Sequence, residues 1–292
     1  MTYYGTADIG SNTIVLAVFE MKDGIPCVRK HISTPVHLID YVEDFTMRKE
    51  GIEKAYETLV NYGKILDEMD IDIRFADITE PCRITNRAEL EDRLAETGFK
   101  VISLSGEEEA SCDFAGAKIS FPDITEGIAF DIGGGSTELI SFKNNEAVDA
   151  VSFHLGCVRL SHLPLDTPEC MKEIRAMAEK YPSLDQRRKT VIGIGGTVKA
   201  LAKLIRDRYG TKNEMYLKDI LDIFARLQAE EPAAIEALHR CVNKDRIPVF
   251  LPGVHMIIEI CRFYEAELIL VSQTGIREGF MLKYVLPACG HK

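Results

Sequence analysis

One short pattern occurs twice in this chain, once near the N-terminus and once in the middle. Residues 7–12 read Ala-Asp-Ile-Gly-Ser-Asn, and residues 130–137 read Phe-Asp-Ile-Gly-Gly-Gly-Ser-Thr. Each copy ends an apolar run typical of a β-strand and turns through glycine, which lets backbone N–H groups approach a phosphate closely. A duplicated phosphate turn predicts two similar lobes that face each other across a cleft, the outline of a phosphotransferase or phosphohydrolase.

The residues after each aspartate supply N–H and hydroxyl donors for phosphate oxygens. The acidic side chains of the same segments are candidates for holding a magnesium ion or its waters, because this ion prefers oxygen ligands. Asp8 and Asp131 have a second interpretation as turn residues that bond local backbone amides. The candidate phosphate-binding residues are Gly10, Ser11, Asn12, Gly133, Gly134, Gly135, Ser136 and Thr137, and the candidate magnesium ligands are Asp8, Asp131 and Glu138.

Composition narrows the class of protein. An apolar content of 46% and a charged content of 28% over 292 residues are typical of a soluble globular protein with room for two ordinary domains. We see neither an apolar stretch near the roughly 20 residues of a membrane helix nor a signal-peptide pattern, and therefore expect a cytoplasmic protein.

The formal net charge of −11 makes the chain a poor general binder of nucleic acid or anionic membranes. Its eight cysteines and seven histidines lack metal-binding spacing.

Apolar periodicity predicts strands that alternate with helices, which favours α/β layers. Residues 5–19 and 25–32 form a predicted hairpin because the turn-forming pair Asp-Gly separates them. Two capping boxes mark further helix starts, Asn86 with Glu89 and Ser105 with Glu108. We place the domains at residues 1–119 and 120–292, with a C-terminal helix that can pack back on the first lobe.

Six motifs occur in an order that is specific to one protein family. They are Asp8-Ile9-Gly10-Ser11-Asn12, Ser105-Gly106-Glu107-Glu108-Glu109-Ala110, the glycine turn with Glu138-Leu139, Leu155-Gly156-Cys157-Val158-Arg159-Leu160, Gly195-Gly196-Thr197 and Gly275-Ile276-Arg277-Glu278-Gly279. Together they resemble the exopolyphosphatase and guanosine pentaphosphate phosphohydrolase family. The resemblance implies an α/β, two-lobed fold of the actin/Hsp70/sugar-kinase superfamily, a duplicated ribonuclease H-like fold with a central cleft. It resembles the short form of the family, without the helical C-terminal domain of longer members.

The resemblance implies a catalytic base. In this family the proposed base is the glutamate directly before alanine in Ser-Gly-x-Glu-Glu-Ala, which is Glu109 here. A carboxylate in that place orients and deprotonates a water for attack on a terminal phosphorus. Glu107 and Glu108 precede it in the same predicted helical turn and are equally explained by favourable interaction with the helix dipole.

Several basic and glycine-rich positions also match the family. Arg83 matches the arginine of the family's Thr-x-x-x-Arg motif, where a guanidinium holds a phosphate, although a surface salt bridge would also explain it. Gly196 and Thr197 match the segment that closes the second-lobe cleft, and they complete the set of candidate phosphate-binding residues. Arg246 and Arg277 stand at family arginine positions, where pairing with neighbouring acids is an equal explanation.

Three segments depart from the family pattern. Glu80-Pro81 replaces the small residues usual before Arg83, residues 37–45 lack a glycine-rich loop, and Gln273 stands where an aspartate is usual. None of them touches Glu109 or either glycine turn. The departures therefore affect the expected substrate more than the expected chemistry.

The leading hypothesis is a phosphoanhydride hydrolase that releases terminal orthophosphate from linear polyphosphate, or the 5′-phosphate of guanosine pentaphosphate, with Mg²⁺ as cofactor. The net charge of −11 favours short polyphosphates. Two alternatives remain, a non-catalytic sensor of polyphosphate, nucleotide or alarmone, and an ATP-dependent small-molecule kinase of the same fold. The resemblance is also compatible with a homodimer.

Overall fold

The computed structural model describes residues 2–79, 81 and 83–290, so that Glu80 and Cys82 lie outside the described residues. Its contacts divide the chain into two units. The first unit comprises Met1–Cys112 together with Arg277–Lys292, and the second unit comprises Asp113–Ile276. The first unit is therefore assembled from two separate stretches of sequence, whereas the second is continuous.

The first unit contains a sheet in the order β3-β2-β1-β6-β7 and a small hairpin of β4 and β5. Strands β1, β2 and β3 are antiparallel neighbours, and β6 and β7 continue the sheet in parallel with β1. Its elements are β1 (Tyr3–Ile9), β2 (Thr13–Lys22), β3 (Ile25–Pro35), β4 (Val42–Glu43), β5 (Thr46–Met47), α1 (Lys49–Asp67), β6 (Arg74–Ile78), α2 (Arg87–Ala95), β7 (Lys100–Ser103) and α3 (Gly106–Ser120), the last of which continues into the second unit.

The second unit repeats this arrangement in a sheet of the order β10-β9-β8-β11-β13-β12. Strands β8, β9 and β10 are antiparallel, β11 and β13 run parallel to β8, and β12 is added antiparallel to β13. Its elements are β8 (Gly127–Ile132), β9 (Thr137–Lys143), β10 (Glu146–Phe153), α4 (Cys157–Leu160), α5 (Glu169–Lys180), β11 (Thr190–Ile194), α6 (Gly195–Tyr209), β12 (Glu214–Tyr216), α7 (Leu217–Gln228), α8 (Pro232–Cys241), α9 (Ile247–Tyr264) and β13 (Leu268–Val271).

The two sheets share one topology, three antiparallel strands followed by two parallel ones. This is the ribonuclease H-like arrangement, and its duplication confirms the predicted actin-like α/β fold. In both units the repeated aspartate lies near the end of the first strand, Asp8 on β1 and Asp131 on β8. Parallel strands end at the same edge of a sheet, where ligands bind in open α/β folds.

The remaining helical segments are α10 (Ile276–Phe280), one π-helical turn (Met281–Val285) and α11 (Leu286–Ala288). A helical stretch of the second unit, Lys244–Tyr264, has the length and apolar composition of a membrane span, contrary to the expectation that no such stretch is present. Of its most apolar window, 61% is buried within the protein. Its residues Val254, Ile257 and Ile260 belong to the apolar core of the second unit, so that it packs as a core helix.

One predicted capping box is wrong in its hydrogen bonds, although α2 begins directly after Asn86 as predicted. The side chain of Asn86 makes no capping hydrogen bond to the N-terminus of α2. Its amide instead pairs with the backbone of Met47 on β5, accepting from the N–H at 2.9 Å and donating to the carbonyl at 2.9 Å. Asn86 therefore links the α2 start to the β4–β5 hairpin, because a strand edge with unpaired backbone groups competes for its amide.

Candidate active site

The first glycine turn connects β1 to β2 and is fixed by the segment that follows β3. Gly10 N–H donates to the carbonyl of Thr13 at 3.1 Å, which closes the turn. The carbonyl of Ser11 accepts from Ile39, and that of Asn12 accepts from the backbone of residues 36 and 37. The structure thus places Gly10, Ser11 and Asn12 together directly after Asp8, as predicted, on a backbone held from one side.

A second aspartate lies beside Asp8. Asp77 of β6 is the register partner of Asp8 across the parallel β1–β6 pair. The side chain of Asp77 is completely buried, with 0% of its surface exposed. Burial raises the pKa of Asp77 well above its ordinary value, and the nearby charge of Asp8 acts in the same direction, while Arg277 opposes it.

The predicted base and the predicted phosphate-binding arginine form an ion pair in the first unit. Nη2 of Arg83 donates to Oε2 of Glu109 at 2.6 Å, and both side chains are largely buried, with 15% and 12% exposed. Because the guanidinium is a permanent cation, it favours the ionised form of the carboxylate, which is the form that a general base must have. The two residues therefore act as one unit.

The helix that carries Glu109 begins as predicted. The hydroxyl of Ser105 accepts from the N–H of Glu108 at 3.2 Å, and the carboxylate of Glu108 accepts from the N–H of Ser105 at 2.8 Å, which together form a capping box. Glu107 is exposed in the same turn. The structure therefore separates the three glutamates by role, since Glu108 caps α3 and Glu109 faces Arg83.

The second glycine turn, between β8 and β9, is held by α4. The carbonyl groups of Gly133 and Gly134 accept from the N–H groups of residues 157 and 158 at 3.0 and 2.9 Å, and Arg159 Nε donates to Gly135 at 3.0 Å. A Cβ on Gly156 would lie 2.4 Å from the carbonyl oxygen of Gly134, so only glycine fits there. The motif around residues 155–160 thus serves to fix the turn.

The hydroxyl groups predicted to contact phosphate are donors within the protein. Ser136 donates to Glu138 Oε1 at 2.8 Å, Thr137 donates to the carbonyl of residue 155 at 2.7 Å, and Thr197 donates to the carbonyl of residue 132 at 2.9 Å. Glu138 is buried and accepts a further hydroxyl from Ser152 at 2.7 Å. The hydroxyl hydrogens of Ser136, Thr137 and Thr197 are thus used within the protein, where they fix the backbone around the turn.

Asp131 lies in a crowded polar cluster of the second unit. Burial raises the pKa of Asp131, while a hydrogen bond with Asp113 of α3 and the positive charges of Lys199 and Arg246 act in the opposite direction. A hydrogen bond between two carboxyl groups needs a proton on one of them. The structure therefore joins Asp131 to a second buried aspartate that the sequence analysis did not single out.

The glycine pair at the start of α6 is packed against this cluster. Gly195 has a φ of +80°, and a Cβ there would lie 1.9 Å from Oδ1 of Asp131. The guanidinium of Arg246 lies beside Gly196, where a Cβ would approach Nη2 to 2.4 Å. Glycine is thus required at residue 195 by both the backbone angle and the proximity of Asp131.

In the described part of the chain, no group of three or more His, Cys, Asp or Glu side chains is arranged to hold a metal ion. The carboxylates near the glycine turns come instead as pairs, Asp8 with Asp77 in the first unit and Asp131 with Asp113 in the second. Glu138 is the register partner of Asp131 across β8 and β9. Each predicted metal candidate therefore has another carboxylate near it.

Comparison with known proteins identifies the family. The model of the Ppx/GppA phosphatase family matches residues 17–287. This chain belongs to that family. A putative exopolyphosphatase of Haemophilus influenzae is 25% identical over 93% of this chain and 88% of its own length. A guanosine-5'-triphosphate,3'-diphosphate pyrophosphatase of Aeromonas hydrophila is 26% identical over 95% of this chain but only 58% of its own length.

Solved structures of the Ppx/GppA family share the fold. The crystal structure of the Aquifex aeolicus family member has a TM-score of 0.79 at 24% sequence identity and covers 98% of both chains. An exopolyphosphatase from Cytophaga hutchinsonii has a TM-score of 0.81 at 24% identity and covers 100% of this chain and 99% of the other. At this identity the likeness extends to the fold.

Two residues near the Ppx/GppA glycine turns were missed by the sequence analysis, Asp77 and Asp113. Asp77 could have been found from the sequence, because a carboxylate interrupts the apolar run of β6 between Ala76 and Ile78. Asp113 could not, because a lone acid in a helix is ordinarily solvated. Gln273, predicted to depart from the family, bonds within the second unit, where its carbonyl accepts from Lys199 at 2.8 Å.

Proposed function

We propose that this protein hydrolyses a terminal phosphoanhydride bond, releasing orthophosphate from linear polyphosphate or removing the 5′-phosphate of guanosine pentaphosphate. The observation that carries the proposal is the ion pair of Arg83 and Glu109, a phosphate-binding cation in direct contact with a candidate base. Membership of a phosphatase family and the names of the relatives support the same class of reaction. The choice between the two substrates is left to experiment.

The chemistry starts at the ion pair. A phosphate oxygen that enters the site competes with Glu109 for the guanidinium of Arg83, because both are anionic acceptors. Glu109, released from that contact, accepts a proton from a water molecule as the water oxygen bonds to the terminal phosphorus. The bridging P–O bond breaks, its electron pair stays with the shortened chain, and orthophosphate leaves.

The backbone amides of the two glycine turns are the proposed donors to the phosphate oxygens. Both turns have carbonyl groups held by neighbouring segments, so that little reorganisation is needed when an anion binds. Preorganised donors of this kind stabilise the charge that spreads over the phosphoryl oxygens in the transition state. The hydroxyl groups of Ser136, Thr137 and Thr197 contribute by fixing the backbone.

Magnesium is the proposed cofactor, and the donor chemistry fits it. Asp8 and Asp131 each lie beside another carboxyl group at the end of a strand, and clustered oxygen ligands suit this hard cation. Asp8 in the first unit and Asp131 in the second are each proposed to hold a magnesium ion or its waters, and Glu138, which accepts from Ser136, remains a candidate ligand. When bound, magnesium neutralises charge on the phosphate oxygens.

The test is phosphate release in the presence of Mg²⁺ from short polyphosphate, long polyphosphate, guanosine pentaphosphate and ATP. Glu109→Gln keeps the shape of the side chain while removing the base, and should lower the rate by about 10²-fold or more. Glu107→Gln is the matched control, because Glu107 is an exposed glutamate in the same helical turn. We expect faster turnover of short polyphosphates than of long ones, because the net charge of −11 repels a long polyanion.

A non-catalytic sensor of polyphosphate, nucleotide or alarmone is the second candidate. The observation in its favour is the same ion pair, because a carboxylate oxygen bonded to Arg83 is a weaker acceptor for a proton from water. Binding of the substrates without release of phosphate by the wild-type protein would establish the sensor and overturn the hydrolase. Release that Glu109→Gln abolishes and Glu107→Gln preserves would exclude the sensor.

A further inference from the structure

Asp77 is an unusual residue for the interior of a sheet. It lies on β6 between Ala76 and Ile78, both fully buried, and none of its own surface is exposed. Neither of its carboxylate oxygens has a hydrogen-bond partner among the described residues. Buried polar groups are nearly always hydrogen bonded, because leaving a buried acceptor unsatisfied costs about 1–3 kcal/mol, and more when it is charged. A carboxyl group in this place is stabilised either by a proton or by a bound ligand.

The neighbour of Asp77 is a second acid. Asp8 and Asp77 are register partners on parallel strands, so that their side chains lie on the same face of the sheet. Asp8 is partly exposed where β1 runs into the glycine turn, whereas Asp77 is fully enclosed. The pair thus combines one buried and one accessible carboxylate, an arrangement that an ion can enter from the side of Asp8.

The charged group of opposite sign that acts on Asp77 does not satisfy its oxygens. Arg277 of the same unit lies close enough for its charge to act on Asp77, but no hydrogen bond between them satisfies either Asp77 oxygen. A divalent cation bonded to oxygens of both acids would satisfy the two orphaned acceptors and would compensate the charge of the ionised pair.

We propose that Asp8 and Asp77 bind a divalent cation of the Mg²⁺ or Mn²⁺ class in the first unit. The assignment adds Asp77 as a ligand and distinguishes this position from the candidates on the second unit, Asp131 and Glu138. It does not depend on hydrolysis, because the cation binds in the absence of a phosphate substrate. Failure of the proposed hydrolase activity would therefore leave this inference standing, and the reverse also holds.

The experiment counts bound Mn²⁺ on the full-length protein by electron paramagnetic resonance, without substrate. We expect Asp77→Asn and Asp77→Val to weaken binding at one site by at least the 10–100-fold that loss of even an outer-shell partner costs. Asp131→Asn is the control for cation binding in the second unit, because it should leave the site of Asp8 and Asp77 occupied. Unchanged Mn²⁺ stoichiometry and affinity in both Asp77 variants would overturn the proposal.

Thermal unfolding is a second measurement, because the difference in unfolding temperature between Asp77→Val and the wild type should depend on Mg²⁺. With EDTA, Asp77→Val should unfold at a higher temperature than the wild type, because it removes an unsatisfied buried carboxylate from apolar surroundings. Added Mg²⁺ should raise the unfolding temperature of the wild type more than that of the variant, because the cation binds only the folded site. Equal responses of the wild type and the variant to Mg²⁺ would overturn the cation site. Asp77→Asn, which keeps the size of the side chain, provides the same comparison if Asp77→Val does not fold.

Discussion

Nη2 of Arg83 lies 2.6 Å from Oε2 of Glu109, in a place where both side chains are more than four-fifths buried. Two residues separated by 26 positions in sequence and predicted for different roles are thus direct partners. In the proposed hydrolysis, a phosphate that binds Arg83 would displace Glu109 from it, so the strength of this contact would govern both substrate binding and availability of the base.

We expect Arg83→Lys to lower kcat/KM by about 10- to 100-fold, because a charged hydrogen bond contributes about 1.5–3 kcal/mol and lysine lacks the planar fork. If Arg83 binds substrate phosphate, KM should rise. If it only orients Glu109, kcat should fall with KM unchanged. Steady-state kinetics on the best substrate separate these results, and wild-type values for both constants would contradict any role for Arg83.

Gly195→Ala should disrupt the cluster around Asp131. The substitution incurs the cost of a left-handed backbone, about 1–2 kcal/mol, and also places Cβ 1.9 Å from Oδ1 of Asp131. Gly210→Ala is a matched control, since Gly210 ends the same helix with a φ of +73° and nothing lies within 4 Å of its added Cβ. We expect the control to lose stability alone, and Gly195→Ala to lose stability and phosphate release. Equal activity in the two variants would remove Asp131 from the site.

Lys118 should be important for the stability of the second unit. Its Nζ donates to the carbonyl groups of residues 121, 122 and 124 at 3.0, 3.1 and 2.6 Å, and to Oδ1 of Asn145 at 2.8 Å. Lys118→Met leaves these acceptors without their donor, and we expect a loss of about 2–4 kcal/mol in the free energy of unfolding. Urea titration measures it, with Lys203→Met, an exposed lysine on α6, as the control expected to stay within about 0.5 kcal/mol.

The Ser105–Glu108 capping box predicts a dependence of stability on pH. The hydrogen bond from the backbone of Ser105 lowers the pKa of Glu108 in the folded protein. Its contribution to stability is therefore complete above the ordinary pKa range of glutamate and is lost as the pH falls through the lowered value. Glu108→Gln should be less stable than the wild type at neutral pH and should approach it in acid. A constant difference at all pH values, measured by urea titration, would contradict this assignment.

Local patterns in the sequence predicted a large part of this structure. The two glycine turns and the cap of α3 depend on neighbouring residues and formed as expected. The predicted hairpin formed between β2 and β3, but its first strand, residues 5–19, is divided by the glycine turn into β1 and β2. The box at Asn86 failed because its amide found a partner at Met47, far away in sequence. Long-range competition of this kind is not visible in a local motif.

The environment of the candidate site depended on such distant contacts. Pairing of Asp8 with Asp77 follows from the register of two strands, and that of Asp131 with Asp113 from the packing of a helix on a sheet. Phosphate contacts were also predicted for Ser136, Thr137 and Thr197. Their hydroxyl groups instead donate to acceptors within the protein. Residue types indicated phosphate and magnesium chemistry, whereas tertiary packing determined which side chains are already hydrogen bonded within the protein.

The interrupted first unit has a consequence for the order of events during protein synthesis. Residues 113–276 form one unbroken stretch, so the second unit can complete its fold as soon as that stretch leaves the ribosome. The first unit emerges earlier but includes the helices after residue 276, and it is therefore incomplete until they have been made. The half of the protein that carries Glu109 is therefore translated first and finished last.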